Sequence, residues 1–222
     1  YTDENHAWQG LEMYDIEDSW AKNVVALHFG QSGFKSGTAC RLTFDNCQPL
    51  VPVASLTGSQ RDNFQVDKWS SNILFTHCFA TKARHAFEVS GTASATCSVF
   101  HRCTSEDPTN PSEGHFHWPT AILYDCFRDY CTNGNLTDRV LGIYNRGSMG
   151  TNHGWAAAHS VVWNCDLRRT ITPHGVVVCQ QPPTAQNFVI GGYGEVNTSS
   201  AIAFPQYPLG YVEGFNNTSV LT

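Results

Sequence analysis

One short phrase recurs five times along this chain, an apolar strand closing on cysteine: RLTFDNC, NILFTHC, CSVFHRC, TAILYDC and SVVWNC. It sets Cys47, Cys78, Cys103, Cys126 and Cys165 at one repeat position, with Phe44, Phe75, Phe100, Leu123 and Val162 three residues earlier. A side chain that returns to the same slot in successive strands marks coils of chain stacked on one another. A β-sandwich also alternates apolar and polar residues, but nothing in it brings one residue type back to a fixed slot.

Each phrase is preceded by a second short strand. GLEMYDI (10–16) leads to NVVALHF (23–29), SGFKSG (32–37) to RLTFDNC, NFQVDKW (63–69) to NILFTHC, and HAFEVSG (85–91) to CSVFHRC. The segment HFHWPTAILYDC (115–126) compresses both strands into one, VLGIYNRG (140–147) leads to HGWAAAHSVVWNC (153–165), and GVVVCQQ (175–181) to QNFVIGGY (186–193). Phe29 and Tyr193 are expected to fill the cysteine slot in the terminal coils. QPLVPVASLTGSQRD and TSEDPTNPSEG read as loops ejected between coils. A period in the low twenties with tolerated insertions predicts an all-β solenoid of about seven coils over residues 1–193. Residues 194–222 leave the repeat and are expected to form an irregular tail against the solenoid or a neighbour.

The 222 residues suit one domain with its own core. Thirteen Lys and Arg against nineteen Asp and Glu give a net charge of −6, which disfavours nucleic acid and anionic lipid as partners. No apolar run reaches the length of a membrane span, so no membrane insertion is expected. The sequence starts at Tyr1 without Met and is expected to be a processed protein or part of a longer one. Sequons at Asn135, Asn197, Asn216 and Asn217, with nine cysteines, predict a secreted, N-glycosylated extracellular protein. Stacked coils lie about 4.8 Å apart, within disulfide reach, so Cys47–Cys78 and Cys103–Cys126 bridges are open, as is a column of reduced apolar thiols. The cysteine spacings fit no zinc site, and no metal or other cofactor is expected.

The ladder, the coil length and the strand phrase together resemble the pectin-lyase-like superfamily over roughly residues 8 to 193. The resemblance implies a right-handed, single-stranded parallel β-helix. It implies no single activity, because that superfamily spans polysaccharide lyases, glycoside hydrolases, adhesins and noncatalytic modules. A hydrolase of this fold needs a converging carboxylate pair and a calcium-dependent lyase an acidic cluster with a Lys or Arg base. Asp15, Glu17, Asp18, Asp67, Glu88, Asp125 and Asp166 read instead as single or turn residues.

Histidine, arginine and tryptophan recur in their place. Arg84 and His85 open the fourth coil, His117 and Trp118 lie in the fifth, and Asn145, Arg146, His153 and Trp155 in the sixth. Arg84, His85, His117, Arg146 and His153 are the candidate catalytic groups, and Trp118, Trp155 and Asn145 the candidate sugar contacts. His115 and His117 flank Phe116 and are expected to face solvent while the phenyl faces the core. A zinc triad of His115, His117 and His153 has no HxxxH spacing behind it. The leading reading is a structural or glycan-associated module of an extracellular surface or filament, with carbohydrate and self-association as partners. The alternative is a polysaccharide-cleaving lyase or hydrolase that uses the His/Arg face.

Overall fold

The computed structural model describes residues 4–91, 95–131, 139–168, 176–196 and 207–216. They form a parallel β-solenoid of about seven turns, 54% strand and almost without helix. One face stacks Gln9–Tyr14, Ser32–Gly37, Asp62–Val66, His85–Ser90, Ser112–Phe116, Arg139–Ile143, Val176–Cys179 and Glu195–Val196 in that order. The second face stacks Glu17–Lys22, Cys40–Asp45, Ser71–Thr76, Thr96–His101, Thr120–Asp125, Val161–Trp163, Phe188–Ile190 and Tyr211–Glu213. A narrower third face is built from three-residue strands, Val25–Leu27 with Gln48–Leu50, and Phe79–Thr81 with Thr104–Glu106 and Arg128–Tyr130. TSEDPTNPSEG is therefore not a plain loop, since Thr104–Glu106 and the start of Ser112–Phe116 lie inside it.

Inward side chains stack on their counterparts one coil away. Phe44, Phe75, Phe100 and Tyr124 form one column on the second face, with successive ring centroids 4.8, 5.3 and 4.9 Å apart. Phe34, Phe64 and Phe87 form another on the first face at 5.2 and 4.7 Å. The columns meet edge to face, as Phe64 does with Phe75 at 5.4 Å, a geometry that aromatic quadrupoles favour.

Strand pairing corrects one of the five phrases. Phe100 pairs with Tyr124 and His101 with Asp125, so the column passes through Tyr124 and Phe127 rather than Leu123 and Cys126. Cys126 instead takes the corner, at φ 52°, where Asn46, His77, Arg102 and Asn164 stand in their coils at 50–53°. The inward slot holds Val24, Cys47, Cys78, Cys103, Phe127, Cys165 and Gly192, so Phe29 and Tyr193 are not its terminal members. Phe29 is buried five residues beyond Val24, and Tyr193 bridges Asp166 one residue past the slot. Gly192 is required there, because a Cβ would stand 2.4 Å from the Cys165 carbonyl oxygen at φ 99°.

None of the nine cysteines is in a disulfide, so the bridged alternative does not hold. Each ladder thiol donates to a carbonyl of the preceding coil: Cys47 to Ala21 at 3.5 Å, Cys78 to Phe44 at 3.4 Å, Cys103 to Phe75 at 3.5 Å and Cys165 to Tyr124 at 3.4 Å. A thiol is small and apolar enough for the core and still donates weakly, which accounts for cysteine in this slot.

Beyond Tyr193, Glu195–Val196 and Tyr211–Glu213 add strands to both main sheets, where an irregular tail was expected. Asn135, Asn197 and Asn217 lie outside the described residues. Asn216 is exposed, and its amide bonds the Gly194 backbone at 2.7 and 3.0 Å.

Alkylating the unfolded protein without reductant should label nine cysteines by mass spectrometry; fewer would mean that disulfides exist. Cys78→Ala should cost about 1–2 kcal/mol in chemical denaturation, as a buried sulfur is lost, while Cys126→Ala should stay within about 0.5 kcal/mol. Phe75→Ala, which breaks the column in mid-stack, should cost about 3–5 kcal/mol.

Candidate functional site

The outer side of the first face carries a register-matched row of polar side chains, Glu12, Lys35, Gln65, Glu88 and Glu113, one per coil. Asp62 and His85 form a second matched pair three residues earlier in their strands. Toward the first coil the row is ordinary: Glu12 is exposed, and the partly buried Lys35 lies 3.2 Å from Asp67 and 3.7 Å from Glu12. From Gln65 onward it is buried. Asp62, His85, Glu88 and Glu113 are each no more than 1% exposed.

The buried groups are held in fixed positions by their neighbours. Ser32 donates to Gln65 Oε1 at 3.0 Å, and Gln65 Nε2 donates to Glu88 Oε1 at 2.6 Å. Arg84 Nη2 reaches both oxygens of Asp62 at 2.8 and 2.9 Å, and its Nε donates to the Gln60 carbonyl. His85 Nδ1 lies 2.6 Å from the Pro111 carbonyl oxygen. Tyr144 donates to Glu113 Oε2 at 2.8 Å, while Arg146 Nε stands 3.2 Å from Glu113 Oε1 and its Nη1 donates to the His115 carbonyl.

His115 joins this cluster because the ladder breaks beside it. Val89 pairs with Gly114 and Ser90 with Phe116, which leaves His115 as the extra residue of a bulge. Its Nδ1 lies 3.2 Å from Glu88 Oε2 and 3.3 Å from Glu113 Oε1, so the two carboxylates are separated by no more than the sum of those contacts. Gly114 is needed here as well. A Cβ would fall 1.6 Å from the Ala156 carbonyl oxygen, so glycine lets the segment after His153 close against this coil.

A cavity of about 450 Å³ opens on the cluster, lined by Ser59, Arg84, His85, Glu113, His115, Tyr144, Arg146, Met149 and His153 among others. Burial lifts Asp62 to about 7 against the pull of Arg84, and burial also raises Glu88 well above the usual carboxylate range, with the Asp62 charge adding to it. Burial lowers His85 and His115, the latter also through Arg146, and brings His153 to about 4 with Arg146 contributing. Neutral imidazoles therefore line this cavity at physiological pH. Such a concentration of displaced titratable groups in a cleft is characteristic of functional sites.

Arg84, His85, Arg146 and His153 all line this cavity. His117 does not reach the cluster: it is exposed, with its ring 6.3 Å from that of His153. Trp118 and Trp155 pack on each other at 6.0 Å, and Trp155 also contacts Tyr207 at 4.8 Å. Trp155 is 7% exposed, so Trp118 at 38% is the indole with an open face. Asn145 is buried and accepts from the Gly147 amide at 2.6 Å, a turn-forming role.

The structure also overturns the expectation that the acids stand alone. Glu113 was hidden in the polar segment TSEDPTNPSEG, and His115, expected to face solvent, is 8% exposed. Applying the coil period to the acids would have matched Glu88 with Glu113, one coil apart. Asp62 and Tyr144 carried no comparable signal. No protein-family model, no curated protein and no solved structure matches this chain.

Removing Asp62 leaves the Arg84 guanidinium largely buried without its carboxylate, so Asp62→Ala should cost about 3 kcal/mol in urea unfolding. The Asp62→Ala/Arg84→Ala double variant should cost clearly less than the two single variants added together. Strict additivity would show that the pair is not coupled.

Proposed function

We propose that this cavity is the active site of an enzyme that cleaves glycosidic bonds in an extended polysaccharide. The observation that carries the reading is Glu113, a wholly buried carboxylate on a sheet face, oriented by Tyr144 and Arg146 and turned to a 450 Å³ cavity. A carboxylate held by one hydrogen bond and one ion pair, and facing a ligand-sized space, suits a base or nucleophile. His153 at the cavity wall is the companion proton carrier. Arg84 and Arg146 at the cavity wall supply guanidinium donors for substrate hydroxyl groups. The open indole face of Trp118 supplies a stacking surface at the corner beside the same sheet. The straight outer face of a solenoid suits a polymer lying along it, in keeping with the resemblance to the pectin-lyase-like superfamily.

A second reading, the extracellular structural module, is favoured by the first coil. Its strands Gln9–Tyr14 and Glu17–Lys22 are the outermost of their sheets, and Trp8, Trp20, Val25 and Leu27 are each more than half exposed. Such an edge can pair with another chain. The extracellular setting rests on the sequons, because free thiols remove the disulfide argument for an oxidising compartment.

Incubation with a panel of neutral and uronate-containing polysaccharides should release new reducing or unsaturated ends. Glu113→Gln keeps an acceptor for Tyr144 and should lower turnover by roughly 10²–10⁴-fold with an unchanged circular dichroism spectrum. Full activity in Glu113→Gln, or no product from any substrate alongside concentration-dependent self-association, would favour the module instead.

A further inference from the structure

We infer that His85 and His115, which line this cavity, form with the buried Glu88 beside them a binding site for a divalent transition-metal ion. The inference deepens the enzymatic reading and depends on it only for the ion's role; the site itself stands on geometry.

Each of the three residues offers one ligand atom, and these atoms lie within 4.8 Å of one another. Metal–donor bonds of about 2.0–2.2 Å place two donors up to about 4.4 Å apart across one ion, so a small inward rotation of the side chains seats it. The donors are also prepared. His85 Nδ1 is committed to the Pro111 carbonyl at 2.6 Å, which fixes the proton there and leaves Nε2 as a buried lone pair with no hydrogen-bond partner. A backbone carbonyl behind an imidazole is the usual support for a histidine ligand. Glu88 is treated in the same way: Gln65, itself held by Ser32, occupies Oε1, and Oε2 is left without a hydrogen bond.

His115 Nδ1 and Glu113 Oε1 also lack hydrogen-bond partners. Three acceptor-capable atoms, Glu88 Oε2, His115 Nδ1 and Glu113 Oε1, therefore follow one another at 3.2 and 3.3 Å, and among the described residues none receives a hydrogen bond in this geometry. Lone pairs set against one another in a buried space repel, and a cation relieves all of them at once. The local charge permits one. Arg84 is matched by Asp62 and Arg146 by Glu113, so a cation that displaces the proton burial favours on Glu88 meets a carboxylate with no guanidinium of its own.

The donor types select the ion. Two imidazole nitrogens with one or two carboxylate oxygens suit zinc, manganese, iron or cobalt, whereas calcium seeks six to eight oxygens. Glu113 is close enough to serve as a fourth donor or to remain the base beside the ion. Bound there, the ion would act as a Lewis acid facing the cavity.

Protein stripped by a chelator and dialysed should take up one equivalent of Zn²⁺ or Mn²⁺ per chain in competition with a chromophoric chelator, with a rise in Tm. Co²⁺ should give a visible spectrum of nitrogen and oxygen coordination. Glu88→Gln, which keeps the Gln65 contact and the side-chain volume, and His85→Ala should each weaken binding 100-fold or more. His117→Ala, on the exposed rim, should leave it unchanged. The absence of stoichiometric binding, or equal affinity in Glu88→Gln, would overturn the ion site and mean that a proton shared by Glu88 and His115 holds the cluster. If turnover then survives chelation, the Glu113 reading stands alone. Stoichiometric, Glu88-dependent binding without cleavage of any polysaccharide would keep the ion site and remove the enzymatic reading.

Discussion

Everything in this molecule depends on each coil repeating the register of the one before it. Parallel ladders on three faces fix that register, and the inward columns make it specific, because Phe must meet Phe or Tyr at each rung of the second face from Phe44 to Tyr124. A slip of one residue would turn the whole column outward. The ladder thiols add a bond between coils that an alanine in the slot could not make. The corners complete the design. Asn23, Asn46, His77, Arg102, Cys126, Asn164 and Gly191 all adopt φ between 50° and 65°, so the chain turns at one position in every coil.

That dependence explains which features were legible in the sequence. The column was visible because it recurs in identity, with Phe and Cys at matching positions in three successive phrases. It misled at TAILYDC because the strand there ends in Asp-Cys-Phe, and cysteine by itself cannot tell the left-handed corner from the inward slot. Only pairing with His101 decides it. The third face was invisible, since strands of three residues with one inward side chain, such as Phe79–Thr81, have too little periodicity to detect.

The candidate site was half legible for a related reason. Arg84, His85, Arg146 and His153 were found because histidine and arginine are scarce and conspicuous beside apolar strands. Glu88 and Glu113 were missed because acids are unremarkable on an outer sheet face. Their significance lies in burial, and burial is set by chain distant in sequence. The insertion carrying Ser59 and the turn at Met149–Asn152 wall the cavity on the first face. Gly114 makes the second wall possible, and no local rule announces that a glycine is accommodating a carbonyl forty-two residues later.

The solenoid thereby separates two tasks that compete in most folds. Stability resides in the interior columns, which continue past the polar cluster on the other side of the same strands: Phe87 and Val89 pack in the core while Glu88 between them joins Gln65 and His115 in the cluster. A strand with period-two alternation can hold a costly buried carboxylate on one side without loosening the packing on the other. Stacking then transfers that rigidity outward, since His85 and Glu88 are anchored by one strand and Glu113 by the next rung. A cluster supported in this way keeps its donors in place before any ligand arrives, which is the condition for both an oriented catalytic carboxylate and an ion site. On the proposed reading, the unpartnered atoms at its centre are the working part of the fold and not a defect in its packing.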